Sequence, residues 1–147
     1  MEARFIPITP RQADRARRGR GKTMFTPERY RRYQEDFLKL LGGVNKVPPG
    51  DYCHLSVICF IPYPKSTPKK RRINGALKRS VPDTDNYTKA VKDILKKHGA
   101  VSDDAIIASN ETVKVWIDDP IGGVYFKLLT VEEFYVEFGN PMDLFKQ

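Results

Sequence analysis

The strongest constraint on the fold comes from a continuous run of apolar and β-branched residues, YCHLSVICFIPY, at positions 52–63. A strand with one face in water alternates apolar and polar side chains, whereas this run is apolar at nearly every position. Such a strand needs cover on both faces and belongs in the interior of a sheet. The run therefore predicts a central strand.

Two amphipathic segments are predicted to be helices. In the first, apolar residues recur at helical spacing after Thr26-Pro27, and the pattern ends at Gly42-Gly43. In the second, residues 83–98, the apolar stripe is clearer and Gly99 provides a C-terminal stop. The apolar positions of this second helix are Tyr87, Ala90, Val91, Ile94 and Leu95.

Three further strands are predicted, at residues 3–8, 106–117 and 124–138. The second is expected to carry an irregularity around Ser109-Asn110, and the third reads as one long or bulged strand. The element order β-α-β-α-β-β favours the α+β class, with a small mixed sheet of three or four strands covered by two helices. With 147 residues, 40% of them apolar, the chain is expected to form a single domain over residues 1–147.

The net charge of +8 is divided unevenly along the chain. Residues 1–82 hold 19 Lys and Arg against 6 Asp and Glu, whereas residues 83–147 hold 7 against 12. A polyanion held by the first half and processed by the second half would favour this division, although an ordinary basic surface is an alternative. The change of sign falls at Asp83.

Two basic segments, residues 11–25 and 65–80, lack apolar periodicity and are predicted to be flexible loops. Both are long enough to follow a phosphate backbone through contacts that are independent of base sequence and weaken with salt. A solubilising loop or an import-like patch explains the KKRR run equally well. The candidate DNA-binding residues in these segments are Arg17, Arg18, Arg20, Lys69, Lys70, Arg71, Arg72, Lys78 and Arg79.

The stretch VPDTDNYTK, residues 81–89, places two carboxylates at the start of the second helix. Asp83 is the expected N-cap, which puts Asp85 at the second helical position. Acids at these positions also stabilise a helix N-terminus by themselves. Asp85, Lys89 and Asp93 form an i, i+4, i+8 line beside the apolar stripe, and a surface ladder of ion pairs is the structural explanation for that line.

A second acidic pair, Asp103-Asp104, precedes the strand that begins near Ile106. If that strand lies beside the central one, three or four carboxylates converge, and they raise each other's pKa unless a cation lies between them. Hard oxygen ligands in this number suit Mg²⁺ or Mn²⁺, which favours phosphodiester hydrolysis by metal-activated water. Lys89 would then stabilise negative charge or orient the water.

The chain has too few cysteines and histidines for a structural zinc site or a Cys/His nucleophilic pair. Cys53 and Cys59 lie six residues apart in the predicted central strand, too far to be bridged, and are expected to be buried, reduced thiols. His54 and His98 are the only histidines. No window is apolar enough for a membrane span and no signal peptide opens the chain, so a cytoplasmic protein without membrane contact is expected.

The acidic residues and the lysine described above form a pattern that resembles the RusA family of Holliday junction resolvases, which are small bacterial and phage endonucleases. The family motif is Asp-x-Asp-Asn, a lysine four residues after the second aspartate, an aspartate four further on, and a paired aspartate before a strand. These positions are occupied here by Asp83, Asp85, Asn86, Lys89, Asp93 and Asp103-Asp104. The firm resemblance covers residues 82–114, and a looser one includes RGRGKTMFTPERYRRYQEDF at residues 18–37.

The resemblance implies a homodimeric, Mg²⁺-dependent enzyme, with Mn²⁺ as a substitute, that resolves four-way junction DNA by paired nicks in recombination and repair. It implies a bacterial or phage protein that is associated with the nucleoid when bound. It makes Lys89 the base or charge stabiliser and adds Lys114 to the DNA-binding residues. The implied catalytic metal ligands are Asp83, Asp85 and Asp104, with Asp103 and Asp93 in supporting positions.

Two other functions stay open: a metal-dependent nuclease acting on other branched or duplex DNA, and a non-catalytic nucleic-acid-binding protein whose acids merely cap a helix. Val101 and Ile106 depart from residues common in the family beside the acidic pair, which affects fine positioning and sequence preference. The segment 124–138 is the first candidate for the dimer interface, with ordinary core packing as an equal alternative.

Overall fold

The computed structural model describes residues 2–145, apart from the side chains of Arg17 and Lys22. The strands are β1 (Glu2–Ile6), β2 (Arg17–Arg18), β3 (Met24–Phe25), β4 (Cys53–Pro62), β5 (Ile107–Ile117) and β6 (Gly123–Thr130). The helices are α1 (Glu28–Leu41), α2 (Thr84–His98), α3 (Val131–Phe138) and α4 (Pro141–Phe145). Short 3₁₀ turns lie at Arg20–Lys22, Lys69–Arg71 and Asp104–Ile106.

Four strands form one mixed sheet in the order β1-β6-β4-β5. The apolar run of β4 lies inside the sheet, antiparallel to β6 and parallel to β5, while β1 pairs antiparallel with β6. The β4–β5 register shifts where Cys53 and His54 face Ile107 and Ser109, close to the predicted irregularity. The α+β class, the four-stranded mixed sheet and the central position of β4 are therefore confirmed.

The main core lies between one face of the sheet and the two long helices. Alternate residues of β4, beginning at Leu55, point to this face and meet the apolar stripes of α1 and α2. Phe37 and Ile94, from the two helices, are fully buried, and burial of a side chain of this kind contributes about 1.5–3 kcal/mol. Gly99 ends α2 in a left-handed conformation, with φ of 91°, and its N–H reaches the Leu95 and Lys96 carbonyls.

The C-terminal part of the chain differs from the prediction of one long strand over residues 124–138. Strand β6 ends at Thr130, whose Oγ1 accepts a hydrogen bond from the Glu133 N–H at 3.2 Å and so begins α3. The sequence TVEE is a capping-box pattern, and its helix signal outweighs the β-branched composition around it. The prediction was wrong because alternation was extended through a helix start.

Helix α3 covers the opposite face of the sheet from α1 and α2. Its Phe134 and Phe138 rings pack on the buried His54 ring, with centroids 5.0 and 4.9 Å away. The β6 half of the candidate interface segment packs in the chain's own fold, since Val124 and Phe126 are buried. Tyr135 and Val136 on α3 are exposed.

Both cysteines are buried free thiols, as predicted. Burial raises the pKa of Cys53 to about 11 and that of Cys59 to about 12, so both thiols are protonated at neutral pH. No helix within residues 2–145 is long and apolar enough to cross a bilayer.

The two basic segments carry short elements of their own. Strands β2 and β3 pair as a small hairpin within residues 11–25. Residues 65–80 contain the 3₁₀ turn at Lys69–Arg71 and a single bridge from Leu77 to Val115 of β5.

Candidate active site

A cleft of about 1000 Å³ lies along α2, bounded by the start of α1, the arm at residues 13–16 and the 3₁₀ turn before β5. The parallel pairing of β5 with β4 carries this turn alongside α2, and the backbone N–H of Ala13 donates to the Asn86 carbonyl at 3.1 Å, which holds the arm there. The cleft is lined by the predicted site residues Asp85, Asn86, Lys89, Asp93 and Asp104.

Lys89 joins two carboxylates in this cleft. Its Nζ donates to Asp104 Oδ2 at 2.6 Å and lies 2.8 Å from Asp93 Oδ1. The hydrogen bond to Asp104, followed by the one to Asp93, raises the pKa of Lys89. The side chain is therefore an ammonium at neutral pH and has no free lone pair with which to act as a general base in this arrangement.

Asp93 is held from its other side by helix α1. The Tyr30 hydroxyl donates to Asp93 Oδ2 at 2.7 Å. Tyr30 is buried, and burial together with the neighbouring carboxylate raises the pKa of its hydroxyl, which keeps its proton. A continuous series of contacts thus runs from Tyr30 through Asp93 and Lys89 to Asp104.

Asp104 carries an oxygen without a partner. Oδ2 receives the Lys89 ammonium, whereas Oδ1 is buried and makes no hydrogen bond within the described part of the chain. A buried polar atom left in this state costs about 1–3 kcal/mol, and more when it is charged. The oxygen is therefore a candidate ligand atom for a cation entering the cleft.

Asp103 and Asp83, the other predicted metal ligands, do not line the cleft. Asp103 is exposed, and its Oδ1 accepts the Asp104 N–H at 2.8 Å and lies 3.3 Å from Lys96 Nζ, contacts that lower the pKa of Asp103. Asp83 is the exposed N-cap of α2, as predicted, and its carbonyl accepts the Asn86 N–H at 3.1 Å.

Two predicted DNA-binding lysines instead hold the turn before Asp83. Lys114 Nζ donates to the Ser80 and Pro82 carbonyls, both at 2.7 Å. Lys78 is buried; its Nζ donates to the Ser80 carbonyl at 3.0 Å and lies 5.0 Å from the Trp116 ring centroid. Burial, and then the Lys114 charge, lower the pKa of Lys78.

The remaining predicted DNA-binding residues lie away from the cleft. Arg72 pairs with Asp118 at 2.9 Å and donates to the Thr67 carbonyl. The side chain of Arg17 lies outside the described part of the chain. None of the nine predicted residues with described side chains lines the cleft. Those exposed to solvent are Arg18, Arg20, Lys69, Lys70, Arg71 and Arg79.

The basic side chains that do line the cleft were not predicted from the sequence. They are Arg15 on the arm and Lys92, Lys96 and Lys97 on α2. The signal was present, because Lys92 and Lys96 follow Lys89 at i+3 and i+7 and so share its side of the helix.

The carboxylates fit a divalent cation, though in smaller number than expected. Within residues 2–145, no three His, Cys, Asp or Glu side chains are grouped as a ready-made metal site. Asp85 and Asp104 nevertheless share the cleft, and Asp104 offers the unpartnered Oδ1. Because Mg²⁺ is usually held by one or two carboxylates together with waters and substrate phosphates, this donor set suits it.

Comparison with protein-family models gives a match to the endodeoxyribonuclease RusA model over residues 6–127. The matched span contains every residue that lines the cleft and ends within β6. No curated protein matches the chain.

Proposed function

Because the chain belongs to the endodeoxyribonuclease RusA family, we propose that it resolves four-way DNA junctions by hydrolysing phosphodiester bonds in the cleft shared by Asp85, Lys89 and Asp104. The family acts on junction DNA. The observation that carries the proposal is the Lys89–Asp104 contact in a cleft with room for a phosphate, where the second Asp104 oxygen is buried and has no partner in the described part of the chain.

In this mechanism Lys89 acts as a charge stabiliser and not as a base. Its raised pKa keeps the ammonium charged, and Asp93 and Asp104 hold it from two sides. Half of the side chain is still exposed, so the ammonium can donate to a non-bridging phosphate oxygen. Preorganised donors of this kind are most effective where negative charge develops during the reaction.

RusA nucleases generally depend on a divalent metal. We propose Mg²⁺, with Mn²⁺ as a substitute, held by Asp85 and Asp104. When bound, the ion supplies charge neutralisation at the phosphodiester and a more acidic water than bulk solvent offers. Asp83 and Asp103 remain predicted ligands, and Asp103 would first have to release the Asp104 N–H and Lys96.

A homodimer is the assembly proposed for paired nicking. A four-way junction presents two equivalent strands, and an isologous dimer places one site against each. Of the candidate interface segment, only α3 has exposed apolar side chains, including Tyr135, Val136 and Phe138. We place the enzyme in the cytoplasm of a bacterial or phage-infected cell, with the nucleoid where junctions form. Light scattering of the purified protein tests the dimer directly.

The test of function compares nicking of four-way junctions, flaps and linear duplexes, each with Mg²⁺, with Mn²⁺ and with a chelator. We expect paired nicks in the junction, metal dependence, and little cutting of the duplex. If the protein cuts flaps or duplex in preference to junctions, it is a nuclease of another specificity and not a resolvase. A wild-type protein that cuts none of them with either metal would overturn the proposal.

The variant Asp85→Asn separates catalysis from binding. Cutting should be lost while junction binding is unchanged or tighter, because the change removes a negative charge close to phosphate. The matched control is Asp36→Asn, an exposed aspartate of α1 outside the cleft, which should cut normally. If Asp85→Asn loses binding together with cutting, Asp85 has a structural role.

A further inference from the structure

The cleft contains positive charge that the catalytic contacts leave unused. Lys96 pairs with Asp103, and Lys89 pairs with Asp93 and Asp104. Arg15, Lys92 and Lys97 also line the cleft, but none of the three has a hydrogen bond or an ion pair within the described residues.

The acids of the cleft do not neutralise these cations. Asp14 is held by Arg29, with bonds of 2.8 and 2.9 Å. Asp93 and Asp104 are both in contact with Lys89, which leaves Asp85 as the one cleft acid without a cation in the part of the chain that the structure describes. The cleft is therefore acidic at the N-terminal end of α2 and basic toward its C-terminal end.

The spacing of these groups suits an extended polyanion. From Asp85 to Lys97 the helix advances twelve residues, about 18 Å at 1.5 Å per residue. A DNA strand carries one phosphate per nucleotide, so a strand lying along this length places several consecutive phosphates beside the helix. A strand whose reacting phosphate lies beside Asp85 and Asp104 would carry its neighbouring phosphates past Lys92 and Lys97.

We propose that Arg15, Lys92 and Lys97 form a cationic rail that binds the backbone phosphates of the cleaved strand beside the scissile bond. The inference rests on the proposed function in one respect, that the polyanion in the cleft is DNA. The rail reads no base sequence, because its contacts are to phosphate alone. Its effect is to set the register of the strand in the cleft. The exposed basic side chains of residues 65–80 lie outside the cleft.

The test is the salt dependence of junction binding, measured with a chelator present so that no cutting occurs. The variant Lys92→Ala/Lys97→Ala is compared with Lys39→Ala/Lys46→Ala, which removes the same charge from exposed lysines outside the cleft. Alanine is the best helix former, so folding of α2 should survive, and thermal unfolding verifies this.

Loss of two phosphate contacts should reduce the slope of log K against log salt by about 1.8. At ~0.1 M salt this corresponds to roughly 60-fold weaker binding. The control should keep the wild-type slope, and Lys92→Arg/Lys97→Arg should restore it because the charge returns. Arg15→Ala should lower the slope by about 0.9 on its own.

Equal slopes for the rail variant and the control would overturn the rail, as would a wild-type protein whose junction binding is insensitive to salt. These outcomes are distinct from failure of the proposed function, which appears as absence of cutting by wild-type protein with Mg²⁺ or Mn²⁺. If wild-type protein cuts junctions and Lys92→Ala/Lys97→Ala keeps the wild-type slope, the nuclease proposal stands and the rail proposal fails.

Discussion

The contact between Tyr30 and Asp93 allows a demanding test of how the site is held. The Tyr30→Phe substitution removes one hydroxyl from a buried ring and leaves the packing of α1 unchanged. It deletes the 2.7 Å hydrogen bond to Asp93 Oδ2, while the contact of Asp93 Oδ1 with Lys89 at 2.8 Å stays possible. The perturbation therefore reaches Lys89 through Asp93.

The expected loss of stability follows from the charge of the acceptor. Hydrogen bonds to charged groups contribute about 1.5–3 kcal/mol. The Asp93 side chain is 24% exposed, so water can partly replace the hydroxyl, and the lower part of this range applies, about 1.5–2 kcal/mol. For a chain of this size the melting temperature should fall by about 3–8 °C.

The effect on catalysis should be larger than the effect on stability suggests. Without Tyr30, Asp93 can rotate and carry Lys89 away from Asp104, and a displacement of about 1 Å in a reacting group can cost roughly 100-fold in rate. We expect a 10- to 100-fold lower single-turnover nicking rate, of the order that misplacement allows, with junction affinity unchanged. The assay uses saturating enzyme at 25 °C, where the variant is folded.

Tyr33→Phe is the matched control. Tyr33 is also a buried tyrosine of α1, but within the described residues its hydroxyl accepts only a long bond from the Arg11 N–H, at 3.3 Å, and makes no contact with Asp93 or Lys89. Its removal should cost about 0.5 kcal/mol and leave the nicking rate unchanged. If both variants nick at the same rate, or if Tyr30→Phe weakens binding in place of chemistry, the reasoning about Lys89 is refuted.

Three further predictions concern the fold. Gly122→Ala should destabilise by more than about 2 kcal/mol in denaturant titration, because φ is 71° and the new Cβ would lie 2.0 Å from the Phe60 carbonyl oxygen; Gly43→Ala, with open space around it, should change little. Thr130→Ala should cost about 1 kcal/mol through loss of the α3 N-cap, and Thr130→Ser should restore most of it. Stability should fall as pH rises from about 9 towards 12, and Cys59 should contribute up to about 1.4 kcal/mol per pH unit to this loss. The reason is that burial raises the pKa of this thiol to about 12, so the unfolded chain loses the proton at a lower pH than the folded chain does. Cys59→Val should reduce that pH dependence in denaturant titrations.

Most of the fold was predictable because its signals are local and mutually consistent. The run at 52–63 predicted the interior strand, and helical periodicity with a glycine stop predicted α2. The error at α3 has the same origin, since Thr130 and Glu133 are also a local signal but stand among β-branched and aromatic residues. At this position the capping box, in which the Thr130 side chain accepts the Glu133 N–H, determines the structure.

Only part of the candidate site was predictable from the sequence: Asp85, Lys89 and Asp104 share the cleft, whereas Asp83 and Asp103 do not line it. Spacing along α2 brought Asp85, Lys89 and Asp93 to one side of the helix, but the partner of Lys89 across the cleft is Asp104, fifteen residues away. The role of Tyr30 could not be read from spacing, because it depends on how α1 packs across α2. Contacts between elements are set by tertiary packing, which periodicity does not encode.

The positions of the charged side chains also distinguish two roles that could not be told apart from the sequence: holding the turn before Asp83 and lining the cleft. The basic run predicted Lys78 as a DNA contact and the family resemblance predicted Lys114, yet the ammonium groups of both donate to carbonyls of the turn before Asp83. Anchoring that turn fixes where α2 begins and therefore where Asp85 enters the cleft. The cations with no partner in the described cleft lie on the far half of α2 and on the arm. It follows that removing Lys114 should impair cutting by displacing Asp85, whereas removing Lys92 should weaken the hold on the strand.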